Sequence, residues 1–304
     1  MYRIRGWYNQ NRKIIWVVIL TIVAVITLIQ NLNNYYEKRA KDESSSTSNS
    51  TTTYNADNYS IVTNKKIDEN TAKKSSNIIE EFFEYCNSQK IEEAYNMLST
   101  DCKQELYPTV EDFKSNYYDR MFTEKKTCKQ KLWITASNKN TYRVQIMADL
   151  LSTGEAEYMP IEDYYTMINE DGNYKLNICK YIGKEDINSS KKQNDITVNI
   201  VSKRIYMDYE IYEIEVKNNT ESKIIFNTKE NTDSMYLQDE NKVKYIAFLN
   251  EIPNNQFEIS SGFTKKLTIK FNRGYKPDIK IKKVIFGDIS TNYNTKLEKI
   301  EVEI

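Results

Sequence analysis

Between Leu132 and Val302, run after run places apolar side chains at every second position, and this alternation constrains the fold more than any other feature. A helix repeats every 3.6 residues and cannot keep a period of two on one face, so the stretch is committed to strands. The first runs are Leu132, Ile134, Ala136; then Tyr142, Val144, Ile146, Ala148, Leu150; then Met159, Ile161, Tyr165, Met167; then Leu176 and Ile178. Turn chemistry separates them at 138–140, 152–154 and 169–173. Beyond the polar segment 183–194 the alternation resumes, as in Ile196, Val198, Ile200; Tyr212, Ile214, Val216; and Leu267, Ile269, Phe271. Seven or eight such strands with Asn-rich turns and no helical stripe predict a β-sandwich over 195–304, with 183–194 as its linker.

Upstream the period is helical. Asn77 and Glu80 form a capping pair ahead of Ile78, Ile79, Phe82, Phe83 and Cys86. Ile91, Ala94, Tyr95 and Leu98 repeat the stripe, and Pro108-Thr109 with Asp112 starts a third helix bearing Val110, Phe113 and Tyr117. Helices followed by an antiparallel meander specify an α+β domain over 75–182. The helix "KIEEAYNMLS", the third helix "TVEDFKSNYYDRMF" and the strands "QKLWITA", "YRVQIMADLL", "YMPIEDYYTMI" and "NYKLNICKYI" resemble an NTF2-like cone. The runs "EIYEIEVKNNTESKIIF" and "SSGFTKKLTIKF" resemble the immunoglobulin-like domains of Gram-positive surface proteins. The layout is similar to single-span assembly proteins of Gram-positive conjugative (type IV) secretion channels. That resemblance implies an envelope scaffold with protein partners or self-association.

The run Ile14 to Ile29 carries no charge, with Thr21 and Thr27 its only polar members. Its roughly 24 Å of helix falls short of a ~30 Å bilayer core, so the span is extended to 14–32 through Leu32, with Lys13 snorkelling. Arg3, Arg5, Arg12 and Lys13 precede it without an acid, which places residues 1–13 in the cytoplasm and the rest of the chain outside. No small-x-small cleavage site follows, so the segment reads as an uncleaved anchor in the cell membrane. Ser, Thr and Asn dominate 33–74, which reads as a tether.

Composition removes several function classes. The 304 residues include no histidine, which excludes Ser-His-Asp and Cys-His catalysis and imidazole metal sites. The 43 basic and 43 acidic residues cancel, so no global field draws the chain to nucleic acid. No Walker, G-x-S-x-G, HExxH or EF-hand pattern occurs, and neither an enzyme nor a cofactor is expected.

Four sets of residues remain. Tyr95, Tyr117, Trp133, Tyr158, Tyr164 and Tyr165 either converge on a pocket within the cone or pack as core. Lys266, Lys270, Lys280 and Lys282 belong to a basic run that offers an interaction surface for anionic polymers, or pairs across strands with Glu213 and Glu215. Glu155, Glu157, Glu162 and Asp163 are the dense carboxylates. Cys86, Cys102, Cys128 and Cys179 fit neither a zinc pair nor a CxxC site and read as buried thiols or as one or two disulfides.

Overall fold

The structure is a computed structural model and describes residues 67–304 apart from 137–138, 150–159, 227–232 and 292–294. The expected anchor at 14–32, the cytoplasmic 1–13 and the tether up to residue 66 lie outside the described residues. Among those described, no helix is long and apolar enough to cross a membrane.

Asp68 opens α1 (Glu69–Asn87) by accepting the Asn70 N–H at 2.9 Å and the Thr71 N–H at 3.3 Å, donors that no helical carbonyl reaches. The helix thus starts at Glu69 rather than at Asn77, and takes in residues expected in the tether. Its buried stripe is Ala72, Ser75, Ile79, Phe82, Phe83 and Cys86. Ser75 fits there because its hydroxyl donates back to the Thr71 carbonyl at 2.7 Å. The short α2 (Ile91–Asn96) and α3 (Thr100–Leu106) follow, the latter capped by Ser99. Thr109 and Asp112 close a capping box on α4 (Val110–Phe113), which continues through a π-helical turn, Lys114–Tyr118, into α5 (Asp119–Met121).

The strands are β1 (Lys126–Ala136), β2 (Lys139–Ala148), β3 (Ile161–Glu170), β4 (Asn173–Asn177), β5 (Tyr181–Gln193), β6 (Ile196–Tyr206), β7 (Glu210–Asn218), β8 (Ile224–Phe226), β9 (Met235–Asp239), β10 (Lys244–Ile246), β11 (Glu258–Ile259), β12 (Thr264–Phe271), β13 (Ile281–Phe286), β14 (Ile289–Thr291), β15 (Thr295–Lys296) and β16 (Ile300–Glu303). They form four four-stranded sheets, β1-β2-β3-β4, β12-β7-β6-β5, β10-β9-β13-β16 and β11-β8-β14-β15. Every pairing between these strands is antiparallel.

Two cores result. Tyr142, Val144 and Ile146 of β2, Tyr165 and Met167 of β3 and Leu176 of β4 face the α1 stripe together with Phe113 and Tyr117. The second core gathers the inward parity of β6, β7 and β12 against that of β9, β13 and β16, with Val198, Ile214, Ile269, Leu237, Val284 and Val302 all buried. Each such side chain contributes about 1.5–3 kcal/mol of burial.

The expected α+β NTF2-like cone followed by an immunoglobulin-like sandwich is corrected by this architecture. Among the described residues strand is the prevailing element, and the helices are few and short after α1. The first sheet is a four-stranded meander with a register shift in β1, and among the described residues its covered face is filled by packed rings and encloses no cone. From Ile196 on the described residues contain eleven strands rather than seven or eight, spread over three sheets.

The expected linker at 183–194 is corrected too, because it forms most of β5 and pairs with β6 from Tyr181↔Tyr206 to Gln193↔Ile196. The strand bends at Gly183, where φ is +147° and an added Cβ would stand 3.0 Å from the Lys139 ammonium. β5 thereby leaves the first core and enters the β12-β7-β6-β5 sheet as one strand, with register shifts at Gly183 and between Asp186 and Ser189. α3 locks the junction. Asp101 accepts the Tyr181 hydroxyl at 2.9 Å and the Lys184 N–H at 2.8 Å, and Glu105 accepts Arg204 at 2.8 and 3.1 Å and the Tyr206 hydroxyl at 3.1 Å.

Candidate functional site

Among the described residues, the tyrosines expected at a pocket do not converge on open space. Tyr117 and Tyr165 are buried with their hydroxyls 2.5 Å apart. Tyr165 lies edge-on to Phe82 and stacks on Phe83, and Tyr117 stacks on Phe113 at 5.4 Å. Tyr95 is half-buried and donates to the Tyr107 carbonyl at 3.0 Å. Tyr164, one residue from Tyr165, projects to the other face of the sheet and packs with Ile182, Ile205, Met207 and Tyr275. Trp133 lies on β1, but its side chain and the whole of Tyr158 are outside the described residues.

Of the carboxylates, Glu155 and Glu157 are outside the described residues, and Glu162 is exposed and paired with Arg143. Asp163 is different. It is 6% exposed and accepts the Tyr164 N–H at 2.7 Å and the Cys179 N–H at 3.2 Å. Burial pushes its carboxyl up to about 6, although these amides pull the other way.

All four cysteines are free thiols. Burial pushes Cys102, Cys128 and Cys179 up to about 12 and Cys86 higher still, so none is a ready nucleophile. The Cys179 sulfur and the Tyr107 hydroxyl are 3.1 Å apart.

The Asp163 carboxyl makes stability depend on pH. Its folded pKa lies above the ~3.9 of an unfolded Asp, so the folded state holds the proton longer. The associated stability is therefore complete below about pH 4 and lost as pH rises through about 6. The expected loss is about 2–3 kcal/mol. Urea midpoints of the wild type and Asp163→Asn across this range should give a sloping difference curve. A flat one would mean that the carboxyl titrates alike in both states.

The lysines of the basic run divide between two sheets. Lys266 on β12 stands opposite Glu215 with Nζ–Oε1 3.3 Å, and Lys270 lies 4.2 Å from the Tyr209 ring centroid and 5.1 Å from that of Phe248. Lys280 and Lys282 are exposed at the start of β13. Lys280 lines a groove.

That groove, about 690 Å³, runs between β5 and the segment 273–281. Glu210, which the sequence reading did not single out, and Arg273, a member of the basic run, organise it. Glu210, fully buried at the start of β7, pairs with Arg273 just past the end of β12, itself only 4% exposed. The Tyr212 hydroxyl donates to the other Glu210 oxygen at 3.0 Å. The remaining Arg273 terminal nitrogen donates to the Lys276 carbonyl at 3.3 Å and the Ile279 carbonyl at 2.6 Å, while Nε is buried without a partner among the described residues. The guanidinium thus clamps the loop that bears Lys276 and Lys280 onto the buried Glu210. On the opposite wall Lys203 and Glu185 pair at 3.0 Å. A neighbouring groove of about 720 Å³ lies between the end of β5 and β16, with three lysines and three glutamates in its lining.

No family model matches this chain, and no curated protein matches it. Among solved structures it is similar to the crystal structure of a conserved hypothetical protein from Bacillus anthracis, at 17% identity and a TM-score of 0.25. The match covers 38% of this chain and 95% of that one, and at that score it carries no argument about fold or role.

Proposed function

We infer that the protein is a non-enzymatic scaffold, tethered to the cell membrane by residues 14–32 and displaying residues 67–304 on the extracytoplasmic side. The anchor rests on the uncharged run Ile14 to Ile29 and on the four cations ahead of it. The scaffold reading rests on the junction. A continuous β5, the Asp101 contacts and the Glu105–Arg204–Tyr206 contacts bind the helical region and the β region into one compact unit. Such a joint suits a part that holds partners at a set spacing, because loosely joined domains move relative to one another. The rings of Tyr117 and Tyr165 support the same reading, because among the described residues they are buried against Phe82, Phe83 and Phe113 rather than set around open space.

Protease added to wall-stripped intact cells is expected to release a fragment carrying both regions, without cleavage at 183–194. Native electrophoresis of mild-detergent extracts should then find the uncleaved chain in a complex larger than its monomer. Complete protection in intact cells would refute the orientation. Cleavage within β5, or a monomer alone, would refute the scaffold.

A further inference from the structure

The groove holds a charge imbalance that the whole chain does not. Its lining contains five cations and three acids. Arg273 is consumed by Glu210 and Lys203 by Glu185. Lys139, Lys276 and Lys280 remain, with no ion pair among the described residues, against the single unpaired acid Asp186. These lysines come from β2 and from two places in the clamped loop. Like charges gathered from distant segments around a concavity repel one another, and they raise the local potential even in a chain of zero net charge.

The clamp strengthens the case. A buried ion pair is a poor device for stability, because desolvation offsets its Coulombic gain, and its best-attested use is to fix one arrangement among several. Here the arrangement fixed is the backbone at Lys276 and Ile279, which places two of the three unpaired lysines. Ordering the loop in advance removes that cost from binding.

We propose that the groove is an anion site that takes a soluble phosphate-bearing molecule, held by Lys139, Lys276 and Lys280. Ammonium groups are compact point charges, suited to an anion whose oxygens point in several directions. The only arginine in the lining has its terminal nitrogens engaged elsewhere, so no fork is left for bidentate recognition and the lysines act as point charges, the way lysine serves at phosphate sites. The volume of about 690 Å³ lies in the range of small-molecule sites. The site is independent of the scaffold reading, since a rigid envelope part and a stand-alone receptor can both bear it.

The test is calorimetric titration of inorganic pyrophosphate into the full chain in neutral detergent at low ionic strength. Saturable one-to-one binding is expected, weakening steeply with added salt. The triple variant Lys139→Gln, Lys276→Gln, Lys280→Gln should bind at least tenfold more weakly while melting where the wild type does. Lys266→Gln with Lys282→Gln, outside the groove, should bind as the wild type. Absence of saturation, or a triple variant that binds normally, would overturn the site. Citrate binding as tightly as pyrophosphate would overturn the phosphate class. Groove-dependent binding to phosphatidylglycerol vesicles without any to pyrophosphate or glycerol 3-phosphate would overturn the soluble source.

Discussion

Tyr165→Ala is expected to lower the stability by about 3–5 kcal/mol, much of the 5–15 kcal/mol that holds an ordinary domain together. The ring has no exposed surface and lies among Phe82, Phe83 and Tyr117, so its removal leaves a cavity that rigid neighbours cannot fill. Tyr165→Phe keeps the ring and deletes only the hydroxyl bonded to Tyr117, and should cost about 1–2 kcal/mol. Tyr95→Ala, at a half-buried ring, should fall between the two. Denaturant midpoints at constant slope measure all three. A loss below about 1 kcal/mol for Tyr165→Ala would mean that the ring borders open space, and would restore the pocket reading.

The second large effect concerns the groove. Glu210→Ala strands the Arg273 charge at 4% exposure, and about 3–5 kcal/mol of stability should be lost; Arg273→Ala should cost a similar amount by stranding Glu210. The double change Glu210→Leu with Arg273→Met removes both charges and should bring stability back to within about 1–2 kcal/mol of the wild type, since apolar replacements of buried pairs are often neutral. It should nevertheless free the loop. The carbonyls of Lys276 and Ile279 lose their donor, so amide exchange across 274–280 should accelerate while the sheets on either side stay protected. Additive single costs would deny that the two residues act as a pair. Unchanged loop exchange in the double variant would deny the clamp.

The paired charges were legible in principle. Glu210 shares the inward parity of Tyr212, Ile214 and Val216, and Arg273 that of Leu267, Ile269 and Phe271. Opposite charges on the buried parity of adjacent strands, where Phe271 faces Glu210, demand each other. Counting the basic run by its surplus of lysines concealed the one arginine that points inward.

The strand runs at Tyr142–Ala148, Ile196–Ile200 and Tyr212–Val216 were readable because each has one wet face and one dry face. β5 was not, because beyond Gly183 it buries little side chain and is held by its backbone ladder to β6, which alternation does not record. α1 began early for a related reason. In "ENTAKKSS" only Ala72 and Ser75 face inward, too small and polar a stripe to register as amphipathic. The assembly of four sheets depends on which edges meet, and that information is distributed over contacts far apart in the chain.

The junction at β5 also bears on the order in which the chain can mature as it is synthesised. Asp101 and Glu105 sit early, yet their partners Lys184, Arg204 and Tyr206 arrive some 80 to 100 residues later. Until then α3 carries two carboxylates whose partners are missing, and the first sheet has no continuation to lean on. A nascent chain that stops short of β6 therefore displays apolar rings and an unpaired strand edge, the surfaces that chaperones recognise and that aggregate when left uncovered. The contact that ties the helical region to the β region delays the completion of both until well over half of the chain has been made.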